Sequence, residues 1–189
     1  MIIVVAAIAA ILTVPLSGVS LAPLSRVTFR GSGLVWLAIG AQIVITAAPL
    51  FPNWLGRPLH LTSFVLAAVF IWLNRRLPGV LFVAVGAGMN LAAIAANGGV
   101  MPASAAAWRS AGLPTTANGF DNSHVVAHAR LPWLGDAFAI PRGWPFANVF
   151  SVGDAVVVFA CGYFAHAWCR RFRPSAASGP PASLSTVTS

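Results

Sequence analysis

Acidic side chains are nearly missing from this chain. Its 189 residues hold three, Asp121, Asp136 and Asp154, against eleven basic residues, all of them Arg. Charged residues make up 7% of the sequence and hydrophobic ones 58%. That balance excludes a water-soluble domain of this size, which would expose a large apolar surface. Cysteine is scarce too. Cys161 and Cys169 stand eight residues apart on one expected helix, too far along its axis to pair, so neither a disulfide nor a cysteine metal site follows. The net charge of +8 is spread through loops and the C-terminal tail. It reads as a topology signal rather than a nucleic-acid footprint. The expected partner is the lipid bilayer, with no nucleic acid and no cofactor. Arginine in place of lysine, with abundant alanine, suggests a GC-rich bacterial genome and a place in the bacterial cytoplasmic membrane.

What is present is a series of apolar runs. Five have the length and polarity of membrane helices: Ile2 to Leu21, Gly33 to Phe51, His60 to Asn74, Val80 to Ala96 and Val149 to Trp168. The third is short, beginning after Pro58 and ending at Arg75-Arg76, and is expected to borrow flanking residues or to tilt little. The first has no basic residue before it, which fits a retained span rather than a cleaved signal peptide. The expected fold is all-α: a polytopic bundle of five transmembrane helices over residues 1–173, followed by a disordered cytoplasmic tail over 174–189. With the N-terminus outside, Arg26, Arg30, Arg75, Arg76, Arg170, Arg171 and Arg173 lie inside. Arg57, Arg109, Arg130 and Arg142 lie outside, the bias that the positive-inside rule demands.

Between the fourth and fifth spans lies a long extracytoplasmic connection, Asn97 to Asn148. Pro102 to Ser110 reads as a short helix with Gly112 past its end. Asp121 or Ser123 could cap a second one through Val125 to Arg130. Trp108, Phe120, Trp133, Trp144 and Phe146 suit the headgroup layer, so the connection is expected to lie on the outer surface as a lid or cradle.

An ionisable residue within an apolar span marks a functional candidate, and Asp154 is one. On the fourth span Gly86, Asn90, Ala93 and Asn97 recur at helical spacing as a small, polar face. Asp154, Val158, Cys161 and Ala165 form a face on the fifth. Asn90 and Asp154 lie at similar depth, so they can bond, and Asp154→Asn would then be nearly neutral. Asp136 stands eighteen residues upstream of Asp154, with Pro141 and Pro145 allowing the chain to double back. Two carboxylates brought close share a proton, one serving as base toward water while the other polarises a carbonyl. Asp136 and Asp154 are thus the hypothetical catalytic dyad, with Asn90 orienting one of them. His124 and His128, at i and i+4 with Asp121 before them, make a weak metal face, and no metal site is assigned.

The blocks Asn90-Leu, Ala96-Asn-Gly-Gly-Val-Met-Pro102, Leu134-Gly-Asp136 and Phe150-Ser-Val-Gly-Asp154 resemble an uncharacterised family of bacterial five-span membrane proteins, a domain of unknown function. That resemblance implies membrane location and span number, and no activity. Trp133 to Phe159 is also remotely similar to the last part of lipoprotein signal peptidase, a membrane aspartyl protease. Its two catalytic aspartates fall on Asp136 and Asp154, and the asparagine of its pattern falls on Asn90, while an Asp and an Arg of that pattern become Ala93 and Ile94. Two functions are therefore expected to compete. One is a non-enzymatic accessory or structural membrane protein. The other is an intramembrane aspartyl hydrolase acting on a membrane-anchored peptide or lipoprotein.

Overall fold

The computed structural model describes residues 2–47, 52–114 and 123–172. Six α-helices dominate it: α1 (Ile2–Leu16), α2 (Ser32–Ala47), α3 (Asn53–Leu73), α4 (Val80–Ala96), α5 (Ala105–Ala111) and α6 (Val152–Arg170). Within α3 and α6, the stretches Trp54–Leu73 and Val152–Arg170 are long and apolar enough to cross a membrane. α1, α2 and α4 are shorter apolar helices; at 1.5 Å per residue, 15 to 17 residues reach about 25 Å. The fourth apolar run folds with the bounds its sequence suggests, Val80–Ala96. The first stops at Leu16, five residues early. The third starts at Asn53 rather than after Pro58, with extended Pro52 as its N-cap. The carbonyl of Pro52 accepts from the backbone N–H groups of Leu55 and Gly56, and Pro58 then costs the helix one hydrogen bond in its second turn. Residues 48–51, Asp121 and the tail from 174 onward lie outside the described residues.

Helix α6 is the centre of the bundle. It packs on α4 along one side and on α1 along another, while α2 packs on α3 and α3 meets α4. Val14 and Val19 close on Ala165 and Cys169 between α1 and α6, and Thr13 Oγ1 bonds His166 Nε2 at 2.9 Å across the same seam. One end of the bundle gathers arginine and aromatic side chains. Arg26 stacks over Phe172, Arg75 over Trp72 and Arg171 over Trp168, and Asn74 exchanges hydrogen bonds with the backbone of Arg30 at 2.9 and 2.8 Å. The outward faces of the helices carry large apolar groups, among them Trp36, Leu81, Val85 and Phe159.

The opposite end is covered by a cap built from the connection after α4. Strands β1 (Met101–Ala103) and β2 (Ser123–Val125) run parallel, and β3 (Phe138–Ile140) pairs antiparallel with β4 (Asn148–Phe150). The fold is therefore mostly helical, with four three-residue strands among the described residues as a minor component. Helix α5 begins at Ala105, not Pro102, because Pro102 is in β1; Ser104 caps it, accepting from Ala107 N at 3.1 Å, and Gly112 ends it at φ 67°. The helix expected over Val125 to Arg130 is absent. Ser123–Val125 instead forms a strand on the backbone ladder that β1 offers, and the residues after it turn. Trp108 faces the cap's own core with Ala103, Ala107, Ala111 and Val149, its indole N–H donating to Pro114 O at 3.1 Å. It is thus a packing residue rather than an interfacial one, whereas Trp133, Trp144 and Phe146 are exposed.

Candidate functional site

Helix α6 opens on Ser-Val-Gly-Asp, and this start organises the site. Ser151 is the N-cap: its Oγ accepts from Asp154 N at 3.0 Å, and its own N–H donates to Asp154 Oδ2 at 3.0 Å. This is a capping box with aspartate in the return position. Asn90 of α4 completes a closed ring. Its Nδ2 donates to Asp154 Oδ1 at 2.7 Å, and its Oδ1 accepts from the Ser151 hydroxyl at 2.9 Å. Both oxygens of Asp154 are thus occupied by neutral donors, in a first helical turn where the backbone dipole favours a negative charge.

Close backbone approach makes the ring possible. A Cβ on Gly153 would collide with Asn90 Oδ1 and with the carbonyl of Gly86, and a Cβ on Gly86 would come within 2.8 Å of Val157. The small face read on α4 is in place through Gly86 and Asn90. On α6, Asp154 meets it through the bond to Asn90 as expected, while the close backbone contacts fall on Gly153 and Val157 rather than Val158.

Asp136 arrives from the cap. Its backbone is fixed by β1: Asp136 N donates to Pro102 O at 2.8 Å, and Ser104 N donates to Asp136 O at 3.0 Å, leaving β1 between β2 and this bridge. Gly135 allows the approach, since a Cβ there would overlap Pro102 O. Asp136 is 6% exposed. Burial pushes its carboxyl up from 3.8 to about 6, the hydrogen bond from Ser123 Oγ at 2.6 Å opposes this, and the charge of Asp154 adds to it. Asp136, Asp154 and Asn90 line one cavity of about 880 Å³ that runs on between α1, α2, α3 and α4.

A family model described as a family of unknown function, DUF5317, matches residues 26–166. The chain belongs to that family. No curated protein and no solved structure matches it. For this DUF5317 chain, then, chemistry has to be read from the site itself.

His124 and His128 do not form a metal face. His124 lies in β2, opposite Pro102, and His128 in a turn, so the helical spacing that would align them does not exist. Asp121 lies outside the described residues. Among the described residues no group of three or more His, Cys, Asp or Glu side chains is placed to hold a metal ion. His166 bonds Thr13 and is absent from the cavity lining.

Ser151 at the head of α6, and three polar residues of the cavity wall, also belong to the site. Ser151 was legible, since Ser-x-x-Asp ahead of an apolar run is a capping signature. Gln42, His60 and Ser63 form a second polar group on the cavity wall, with Gln42 Nε2 2.6 Å from Ser63 Oγ and 3.4 Å from His60 Nδ1. The signal was a glutamine inside the second apolar run and a histidine with serine at i+3 in the third.

Proposed function

We propose that this DUF5317 protein is a non-enzymatic integral membrane protein that holds an amphipathic molecule. In this reading the five long helices cross the cytoplasmic membrane, the cap lies outside with Trp133 and Trp144 at the headgroup level, and the arginine-rich end is cytoplasmic. Composition, the apolar outward faces and the two helices of full spanning length support the membrane setting. The observation that carries the non-enzymatic reading is the state of Asp154. Each of its oxygens accepts a hydrogen bond that ties α6 to α4 or caps α6, so the carboxylate serves the architecture of the helix start.

Asp154→Asn tests this. An amide has one acceptor oxygen for the two donors, Asn90 Nδ2 and Ser151 N, so the substitution is not neutral as the sequence suggests. One donor is left unpaired, and thermal stability in detergent falls by an amount corresponding to about 1–3 kcal/mol. An unchanged melting temperature would remove the structural role of the ring.

A second reading, aspartyl hydrolysis, starts from one observation: Asp136 is buried on the same cavity as Asp154, with its carboxyl raised into the range where a neutral acid can serve a neighbouring carboxylate. Incubating the purified protein with membrane-anchored peptides separates the two. The non-enzymatic reading expects no turnover; cleavage by the wild type that disappears in both Asp136→Asn and Asp154→Asn, with folding intact, would overturn it.

A further inference from the structure

The cavity is apolar along most of its length and acidic at one end. Ile3 and Val4 of α1, Val35 and Ile39 of α2, and Phe64 of α3 contribute to its walls. α1 and α2 barely touch, and Val4 and Ile39, which line the cavity, are exposed, so the cavity is open to the surroundings of the bundle at these two helices. An alkyl chain can enter there without crossing water.

Among the described residues the charge at the acidic end has no cationic hydrogen-bond partner. Eleven arginines are present in the chain, yet the hydrogen-bond partners of Asp136 and Asp154 are Ser123, Asn90 and Ser151, all neutral. Among the described residues no arginine is bonded to either carboxyl. Asp136 is 94% buried, from its 6% exposure, and only its Oδ2 receives a hydrogen bond from a described residue. Its second oxygen is left for whatever fills the cavity. A buried carboxylate without a cation is costly, and bringing one up offsets that cost. An anionic headgroup would instead meet charge of its own sign.

We propose that the cavity binds an amphiphile that ends in an ammonium group, its alkyl chain between α1, α2 and α3 and its ammonium between Asp136 and Asp154. The occupant is a simple membrane-soluble amine rather than a zwitterionic phospholipid. The phosphate of such a lipid lies a few atoms from its ammonium and would find no arginine among the described residues that line the cavity. This inference rests on the proposed binding role and adds the charge of the ligand.

The test uses the full chain in phosphatidylcholine nanodiscs and three probes with one chain length: dodecylamine, dodecanol and dodecyl phosphate. Binding is measured in excess of that to empty nanodiscs. Dodecylamine binds about tenfold more tightly than dodecanol, and dodecyl phosphate most weakly, as a charge-assisted hydrogen bond implies. Asp136→Asn, which preserves an acceptor for Ser123, brings amine and alcohol affinities close together, while Val35→Trp weakens all three by filling the chain's place. Equal affinity for amine and alcohol, tighter binding of the phosphate, or an amine preference that survives both Asp136→Asn and Asp154→Asn overturns the ammonium assignment while the amphiphile cavity stands. Failure of all three probes to bind overturns the cavity reading as well.

Discussion

Asp136 shows how a side chain's surroundings, not its sequence neighbours, set its chemistry. Its ordinary value of 3.8 rises to about 6 chiefly through burial. The folded state therefore binds the proton more strongly than the unfolded chain does. Stability from this group is full below about pH 4, falls as pH rises toward 6, and stays low above it. The difference amounts to roughly 3 kcal/mol. In detergent, the wild-type melting temperature should fall across pH 4 to 6.5 relative to Asp136→Asn, whose amide does not titrate. Parallel curves for the two proteins would mean that Asp136 titrates alike in the folded and unfolded chains. Asp154 could be noticed in the sequence, because an acid inside an apolar run is conspicuous. The burial of Asp136 could not, since it depends on Gly135 letting the chain approach Pro102, a contact between segments more than thirty residues apart.

At the scale of elements, legibility follows length and contrast. Helix α4 is legible to its ends because Gly79 and Asn97 flank an apolar run interrupted by a single polar residue, Asn90. The cap strands are not, since three residues are too few to display an alternating pattern and each is specified by its distant partner. The α4–α6 contact lies between these cases. Its small residues are visible, but which of them touch is decided by the rotation of α6, and the structure chooses Gly153 over Asp154 for the backbone contact. Gly153→Ala should therefore be severe: the new methyl overlaps Asn90 Oδ1 and the Gly86 carbonyl, neither of which can withdraw without opening the ring. Overpacking of this kind costs about 1–3 kcal/mol, and an equal melting temperature for Gly153→Ala would show that the helices are farther apart than described. Gly88→Ala is the control, with nothing near its added methyl.

The whole molecule is polarised between two ends that differ in kind. At one, Arg26, Arg75 and Arg171 stack on aromatic rings beside the Asn74–Arg30 link; at the other, a cap with exposed Trp133 and Trp144 folds over the carboxylates. The proposed orientation puts the arginine-rich end in the cytoplasm, where juxtamembrane basic residues are retained. Single cysteines in a background lacking Cys161 and Cys169 decide the matter. Trp144 and Arg76 are both exposed and lie at the cap and at the opposite end, so Trp144→Cys and Arg76→Cys report on the two sides. With a membrane-impermeant maleimide on intact cells, the cysteine at 144 should be modified at once, and the one at 76 only after permeabilisation. The reverse pattern would invert the protein and move the carboxylate cavity to the cytoplasmic leaflet. Modification of both in intact cells would mean that no membrane separates the two ends, and the proposed bundle of spans would have to be abandoned.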